Sequence, residues 1–460
     1  MSPTPPTTPN RGEPLIRDRG DACPGALRLH AADDGGLARL RLPAGLLTPH
    51  QVEVLASAAE SLGDGRVTVT SRGNVELRGL GGGCGAELAD RLTEAGLLPS
   101  ATHERVRNIV ASPTAGLDGL GHADVQLWSR ELDALLCAAP WTAALSGRFL
   151  FALDDGRGDV ARLGGDVTLI AEGPWTNAAR ETTGPGPRAG GVLLYVGGQA
   201  FRVAGADAPR AALAAADAFL RAARAAGNGA WRVKELPGVG ATGAEAIEAA
   251  GAKELPGIGP AGSPGGGAAD APGAGAGLLD LAAAFTRAGI DARPVVPVPP
   301  LPHSTPPAPG LLGSSDALHV LAPLGRMTAA QLRALLPAGE VRLTPWRGAV
   351  VAGSSRTRLP ELAAAGLITR PDDPRVGVGA CTGRPGCAKS LADVRADAVP
   401  GAPGVPVHFS GCERRCGHPQ GAPGTWVDVV ATAEGTYLVD GRPTPRHSLP
   451  EAVATARTTR

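Results

Sequence analysis

The chain has 460 residues, of which 43% are hydrophobic, so it is long enough to form two or three hydrophobic cores. Its 44 lysine and arginine residues balance 44 aspartate and glutamate residues, which argues against nucleic acid or an anionic membrane surface as a partner. No apolar stretch is long enough to cross a bilayer and the N-terminus lacks a secretory signal, so we expect a cytoplasmic protein whose seven cysteines stay reduced.

The first predicted elements lie between Ala26 and Leu80, after an N-terminal tail, residues 1–14, that we expect to be disordered. Thr48 is a good helix N-cap residue and Pro49 suits the first helical position, so a helix should begin there. The stretch RVTVTSRGNVEL, which starts at Arg66, alternates in the way that strands do. The segment therefore predicts a strand, a helix and a strand in that order.

The same order of elements recurs between Ala317 and Gly353, which indicates an internal duplication. The matching positions are Thr48 and Gln51 with Thr328 and Gln331, TSRG with PWRG, and LTEAGLLPS with LAAAGLITR. This alignment pairs Arg72 with Arg347. The chain is thus predicted to be two copies of one long unit.

Composition separates the two copies. Residues 227–277 are rich in glycine, alanine and proline, and such a segment buries too little apolar surface to offset its ordering entropy, so we predict a linker. The predicted domains are residues 15–100 and 101–226 in the first copy and residues 278–370 and 371–460 in the second.

The cysteines differ between the copies. Cys381 and Cys387 form a C-x5-C pair, and Cys412 and Cys416 form a C-x3-C pair. Continuing the alignment places Ala111 where the second copy has Cys381. Only the second copy therefore carries the thiols, and we expect the first copy to bind an anion while the second holds a metal.

The spacing of these four cysteines favours an iron–sulfur cluster. Structural zinc prefers C-x2-C or C-x4-C pairs, and catalytic zinc usually recruits histidine or a carboxylate, whereas four thiolates suit iron and sulfide. Cys23, Cys84 and Cys137 lie outside any motif and are interpreted as incidental thiols. His418 could donate a hydrogen bond near the metal, ligate iron or be a structural loop residue.

These residues resemble the nitrite and sulfite reductases that hold a four-iron cluster. The phrases that carry the resemblance are DACPGALRLH, VTVTSRGNVELRG, RNIVASPTAGLD, RFLFALDDGRGD, RLTPWRG, ACTGRPGCAKSLADVRADA and VHFSGCERRCGHP. The resemblance implies an α+β fold made of a duplicated unit, in which each copy has a ferredoxin-like half-domain followed by an α/β domain. Within this family the sequence is most similar to the precorrin-3B synthase branch.

That branch implies an oxygen-dependent monooxygenase that converts precorrin-3A to precorrin-3B by hydroxylation and lactone formation. The implied cofactors are a 4Fe-4S cluster on the four cysteines and a mononuclear non-haem iron, and the co-substrate is dioxygen. No reductase domain is recognisable, so electrons should come from an external donor, either ferredoxin or reduced nicotinamide through a partner reductase. Neither catalytic residues nor ligands of the second iron can be assigned from the sequence.

Four arginines are candidates for binding the substrate's carboxylates. By resemblance, Arg41, Arg72 and Arg107 match arginines of the family's tetrapyrrole site, and guanidinium groups bind carboxylates bidentately. Family reductases place two lysines in a phrase like LPRKFK, where this chain has LSGRFL, so Arg148 and Leu150 replace them. The loss of both lysines argues against oxyanion reduction, because that chemistry needs proton donors.

The sequence leaves two alternative functions open. The chain could be a nitrite or sulfite reductase that contains sirohaem, or a non-enzymatic module that binds zinc or an iron–sulfur cluster. The absorption spectrum of anaerobically purified protein distinguishes all three.

Overall fold

The structure of the chain, a computed structural model, describes residues 24–173, 190–239, 279–313, 316–400, 404–419 and 424–459. The predicted tail at residues 1–14 and residues 240–277 of the predicted linker lie outside these ranges. Within the described ranges, no helix is long and apolar enough to cross a membrane.

The elements of the first copy begin at His30. Its strands are β1 His30–Ala32, β2 Gly35–Leu40, β3 Leu46–Leu47, β4 Arg66–Val69, β5 Val75–Leu80, β6 Ile109–Ala111, β7 Phe151–Asp154, β8 Val167–Ala171, β9 Gly191–Val196, β10 Gln199–Ala204 and β11 Arg293–Pro294. Its helices are α1 Pro49–Leu62, α2 Gly85–Glu94, α3 Val125–Ala138, α4 Ala208–Ala226 and α5 Leu281–Arg287.

The second copy repeats this pattern with shorter helices. Its strands are β12 Gly310–Leu311, β13 Ala317–Leu321, β14 Arg326–Thr328, β15 Glu340–Leu343, β16 Gly348–Ala352, β17 Val378–Ala380, β18 Val407–Ser410, β19 Val427–Ala431, β20 Tyr437–Val439 and β21 Arg442–Thr444. Its helices are α6 Ala329–Ala334, α7 Leu359–Ala364, α8 Val394–Asp397 and α9 Leu449–Thr458.

The duplication predicted from the sequence is visible in the helix caps. Thr48 and Gln51 form a reciprocal capping box at α1, and Thr328 and Gln331 form the same box at α6. The Gln51 side chain also donates to the carbonyl of Ala95, as Gln331 donates to that of Ala365, each at 3.0 Å. The predicted helix start and the predicted pairing of the two capping boxes are therefore confirmed.

The two half-domains exchange strands. One sheet has the order β1-β2-β5-β4-β14, so its last strand comes from the second copy. The other has the order β12-β13-β16-β15-β3, so its last strand comes from the first copy. Buried residues of both sheets and of the helices packed on them, among them Leu55, Leu77, Leu332 and Val351, form a single hydrophobic core. The half-domains therefore fold as one body.

Each copy also has a mixed sheet that begins with three parallel strands. In the first copy β6, β7 and β8 are parallel and are followed by antiparallel β9, β10 and β11. In the second copy β17, β18 and β19 are parallel and are followed by antiparallel β20 and β21. The architecture is α+β with a duplicated unit, as the resemblance implied.

The ends of the predicted linker belong to the first copy. Val233 and Leu236 are buried in its core, and so are Leu281 and Phe285 of α5. Strand β11 then pairs with β10 of the same sheet. The second half-domain thus begins near β12 rather than at residue 278, because the apolar residues of α5 complete the first core.

The strand register corrects two pairings of the sequence alignment by one residue. The amide of Ser112 donates to Leu153 beyond the end of β6, as that of Cys381 donates to Phe409 beyond the end of β17, so Ser112 rather than Ala111 is equivalent to Cys381. Gly73 and Arg347 each donate from their amide to a threonine carbonyl, at Thr70 and Thr344. Arg347 therefore matches Gly73 instead of Arg72. Sequence identity alone could not fix a register across such short strands.

Candidate metal centre

The four predicted ligand cysteines lie in two loops at one edge of the second mixed sheet. Cys381 directly follows β17, and Cys412 comes soon after β18. These strands are parallel neighbours, so the loops at their carboxyl ends are brought together. Sequence positions 31 residues apart thus become adjacent in space.

Hydrogen bonds join the two cysteine loops. The amide of Gly411 donates to Sγ of Cys381 at 3.2 Å, and the amide of Leu391 donates to the carbonyl of Gly411 at 2.7 Å. A Cβ on Gly411 would lie 1.8 Å from the hydroxyl oxygen of Ser390, so this close approach requires glycine. The loops are held together by the backbone itself.

The thiol of Cys416 lies within electrostatic range of the other three predicted ligands. Partial burial raises the pKa of Cys416, and the negative charges of Cys381, Cys412 and Cys387 raise it further, against the opposing charge of Arg414. All four cysteines have free thiols. Four soft sulfur donors with an amide aimed at one of them fit an iron–sulfur cluster.

Cys416 is exposed, while the other three cysteines are half-buried. The ring of His408 lies against the carbonyl of Cys416, with 3.1 Å between Nε2 and the oxygen. His418 bonds the carbonyl of Pro419 through Nδ1 and stacks on Trp426, with ring centroids 5.5 Å apart. His418 is therefore engaged as a structural loop residue in this arrangement. The thiols of Cys84 and Cys137 are free and belong to other parts of the fold, and Cys23 lies outside the described residues.

Two of the predicted arginines line one pocket. Arg41 and Arg107, together with Arg39 and Glu104, border a small pocket. Arg107 is bidentate to Asp133, with both N–O distances at 2.7 Å, and Arg41 donates to the carbonyl of Gly147 at 2.7 Å. Both guanidinium groups are thus largely engaged by the protein, and each residue is 5% exposed.

The other predicted positions are not part of this pocket. Arg72 is half-buried in the turn between β4 and β5. Arg148 is exposed, and its guanidinium carbon lies 4.7 Å from the centre of the Trp231 ring. Leu150 is fully buried beside Val110 and Val160. The four arginines therefore do not form one cluster in this structure.

The first copy has a buried polar network where the second has its cysteines. Ser112 donates to Asp159 at 2.6 Å, and Asp118 lies six residues after Ser112, as Cys387 lies six after Cys381. Arg157 bridges Asp118 and Asp155 through its guanidinium group. Burial, reinforced by the charge of Asp154, raises the pKa of Asp159 to about 7. This network was not predicted from the sequence, although its S-x5-D spacing mirrors C-x5-C.

This network includes the described carboxylates that come close enough to hold a metal, Asp154, Asp155 and Asp159. Asp154, however, already accepts four backbone N–H groups, from Gly156, Gly158, Val160 and Ala161. Asp155 is bonded to Arg157, whose positive charge also lies 3.9 Å from Asp159. The arrangement does not fit a second iron, because Asp154 and Asp155 are already engaged and the Arg157 guanidinium lies among the carboxylates, although Oδ2 of Asp159 has no hydrogen-bond partner.

Comparisons with known proteins place the chain. Residues 30–95 match the family described as "Nitrite/Sulfite reductase ferredoxin-like half domain". The chain is similar to nitrite and sulfite reductases. It is 28% identical to a ferredoxin–nitrite reductase of Synechococcus elongatus over 84% of this chain and 74% of that protein. A precorrin-3B synthase of Sinorhizobium is 32% identical over 33% of this chain and 32% of that protein.

The fold of the chain is similar to that of a solved structure. The NirA protein of Mycobacterium tuberculosis aligns with a TM-score of 0.53 and 18% identity over 86% of this chain and 71% of that chain. Named relatives include a nitrite reductase, so the family performs oxidoreductase chemistry. The identity to NirA is low enough that it supports only the fold.

Proposed function

We propose that the chain is a precorrin-3B synthase, an oxidoreductase that hydroxylates precorrin-3A with dioxygen and closes a lactone on it. The observation that carries the proposal is that an apolar, fully buried residue, Leu150, occupies the position of a lysine. In the matching phrase of the reductases a lysine supplies charge and protons, whereas Leu150 is fully buried among apolar residues. Its amide is fixed by Asp166 at 2.8 Å, so this position offers no proton to a bound oxyanion.

Arg148 does not restore the missing proton donor. A guanidinium group stays protonated in proteins, so it can orient an anion without donating a proton to it. In addition, this side chain lies over the Trp231 ring. The absence of both lysines supports a substrate that is held by its carboxylates rather than one reduced by repeated protonation.

The residues of the chain have distinct roles in this proposal. Cys381, Cys387, Cys412 and Cys416 hold the four-iron cluster, which when bound supplies single electrons. Arg41 and Arg107 border a pocket that is too small for a macrocycle. The tetrapyrrole ring would therefore lie outside this pocket, with Arg72 and Arg148 as further candidates for its other arms.

The proposed reaction needs an electron donor. One atom of dioxygen enters the product, and the other leaves as water after two electrons and two protons are added. Ferredoxin, or reduced nicotinamide through a partner reductase, would supply the electrons. Because the Asp154–Asp159 network does not fit a second iron, no step is assigned to such a metal.

A second candidate is nitrite or sulfite reduction with sirohaem. The observation in its favour is the match to the ferredoxin–nitrite reductase of Synechococcus elongatus, which extends over more of the chain than the match to the synthase. A bound sirohaem would give intense porphyrinoid absorption bands, whereas a cluster alone gives a broad brown shoulder.

The two candidates are separated by a paired incubation of anaerobically purified protein with a chemical reductant. One vessel contains nitrite or sulfite, and the other contains precorrin-3A with and without dioxygen. We expect negligible loss of the oxyanion and consumption of precorrin-3A only when dioxygen is present. Rapid nitrite loss without precorrin oxidation would replace the proposal by the sirohaem reductase.

A further inference from the structure

Three arginines surround the turn at Pro323–Gly325, next to the cysteine loops. Arg326 directly follows the turn, and Arg395 donates to the carbonyl of Leu324 at 3.4 Å. Arg347 lies over the turn, since a Cβ on Gly325 would be 2.7 Å from its Cδ. Its Nη2 donates to the carbonyl of Gly417 at 2.5 Å, which places this guanidinium beside the loop that carries Cys416.

Two of these arginines have no carboxylate to balance them. Arg326 pairs with Asp64, but in the described ranges Arg347 and Arg395 form no ion pair with an acidic side chain. Glu76 also acts on Arg347, although its carboxylate is already bonded to Arg39. Nε of Arg395 is buried without a hydrogen-bond partner. Uncompensated charge of this kind is costly unless an anion completes the site.

The groups that shift the pKa of Arg395 show which part of the fold could balance its positive charge. Burial lowers the pKa of Arg395 to about 10, and the charges of Arg326 and Arg347 lower it further. The opposing influence that raises this pKa comes from Cys381. The unbalanced arginines therefore face the predicted metal ligands.

The first copy provides an internal control, because it has the same fold without the thiols. The turns and helix caps that the two copies share give the equivalent positions. Arg326 is equivalent to Leu46, Arg347 to Gly73, and Arg395 to Gln126. Asp124 and Asp393 fix the last pair, since each caps the helix that starts one residue later. All three arginines are thus replaced by uncharged residues in the copy without cysteines.

Arg347 is also kept in a strained conformation. Its φ is 62°, in the left-handed region that favours glycine, and the equivalent Gly73 has a φ of 69°. Residues other than glycine persist in this region when the surrounding structure imposes it, often at functional sites. The residue in this conformation is also the one whose guanidinium contacts the loop that carries Cys416.

We infer that Arg347 and Arg395, supported by Arg326, balance the negative charge of the iron–sulfur cluster and so raise its reduction potential. The inference rests on the proposed function, which places a cluster on the four cysteines. A four-iron cluster on four thiolates carries about two negative charges, and reduction adds another. Nearby guanidinium groups therefore stabilise the reduced form more than the oxidised form, by Coulomb attraction.

The test is a redox titration of the intact, anaerobically purified protein, followed by electron paramagnetic resonance. Arg395→Met should shift the midpoint potential of the cluster to more negative values, and Arg347→Met should do the same independently. Arg395→Lys keeps the positive charge, so its midpoint potential should stay close to that of the wild-type protein. The matched control is Gln126→Met at the equivalent position of the first copy, which should leave the potential unchanged.

Iron and sulfide content separates the possible failures. If the wild-type protein binds no cluster, the proposed function fails and not the role of the arginines. If Arg395→Met and Arg347→Met keep full iron and sulfide with an unchanged potential, the inference is overturned. If Arg395→Met loses its cluster while Arg395→Lys keeps it, the charge is needed to hold the cluster, which supports the inference. If both Arg395→Met and Arg395→Lys lose the cluster, the redox titration of Arg347→Met decides the question.

Discussion

At the scale of single residues, the four cysteines make the most direct prediction. Cys387→Ser should remove most of the iron and sulfide, because a hydroxyl is a harder and poorly ionised ligand. Cys84→Ser is the control, since this half-buried thiol bonds the carbonyl of Gly81 and not the metal loops. Iron and acid-labile sulfide are measured by chemical assay. Full occupancy in Cys387→Ser would contradict the assignment of the ligands.

Asp159 makes a prediction about pH. The folded protein keeps a proton on this carboxyl up to about pH 7, whereas the unfolded chain releases it near about pH 4. Because the folded state holds more protons in this interval, raising the pH through it lowers the free energy of unfolding. Asp159→Asn cannot ionise, so it should gain stability relative to wild type between about pH 5 and pH 8, by about 1–3 kcal/mol at about 1.4 kcal/mol per pKa unit.

The measurement is urea denaturation of both proteins at the two pH values. Asp90→Asn, at the exposed side of α2, is the control for the loss of one carboxylate. A stability difference between Asp159→Asn and wild type that stays constant across this interval would rule out a protonated Asp159 in the folded network.

At the scale of elements, the helix caps give the next prediction. Thr48→Ala removes the side chain that accepts from the amide of Gln51 and should lower the free energy of unfolding by about 1 kcal/mol. Thr93→Ala, inside α2, should be neutral or stabilising because alanine is the better helix former. Chemical denaturation measures both. An equal loss in the two variants would mean that the cap contributes nothing specific.

The elements also show how far the sequence could predict the fold. Thr48 with Gln51, and its repeat at Thr328 with Gln331, located two helices correctly because an N-cap is a local interaction. The exchange of β3 and β14 was not predictable, since strands of two or three residues carry no pattern that selects a partner. The same shortness caused the error of one residue at Cys381 and at Arg347.

The candidate site was predictable where its chemistry is carried by the spacing of like residues. Cys381 to Cys416 could be grouped because thiols are rare and their spacing is distinctive. Arg395 could not be found in this way, since one arginine among many carries no signal until its neighbours are known. The role that we infer for Arg395 rests on its half-buried side chain, the nearby Cys381 and the equivalent Gln126.

At the scale of the whole molecule, the exchanged strands predict that the two copies depend on each other. A break within residues 240–278 gives one fragment that lacks β14, α5 and β11 and another whose sheet lacks β3. Each fragment alone would also expose its half of the shared core. We expect the fragments to copurify in equal amounts when expressed together and to aggregate when expressed apart. Cooperative unfolding of either fragment alone would contradict this.

The exchange of β3 and β14 also bears on ancestry. A single unit could complete its sheet only by taking a strand from a second copy of itself, and reciprocal exchange of this kind is what a two-fold symmetric dimer provides. The ancestor of this chain would then have been a homodimer with two identical sites. Fusion into one chain removed the requirement that both sites stay the same. One site could keep its thiols and gain arginines, while the other was free to replace its metal by a guanidinium held between carboxylates.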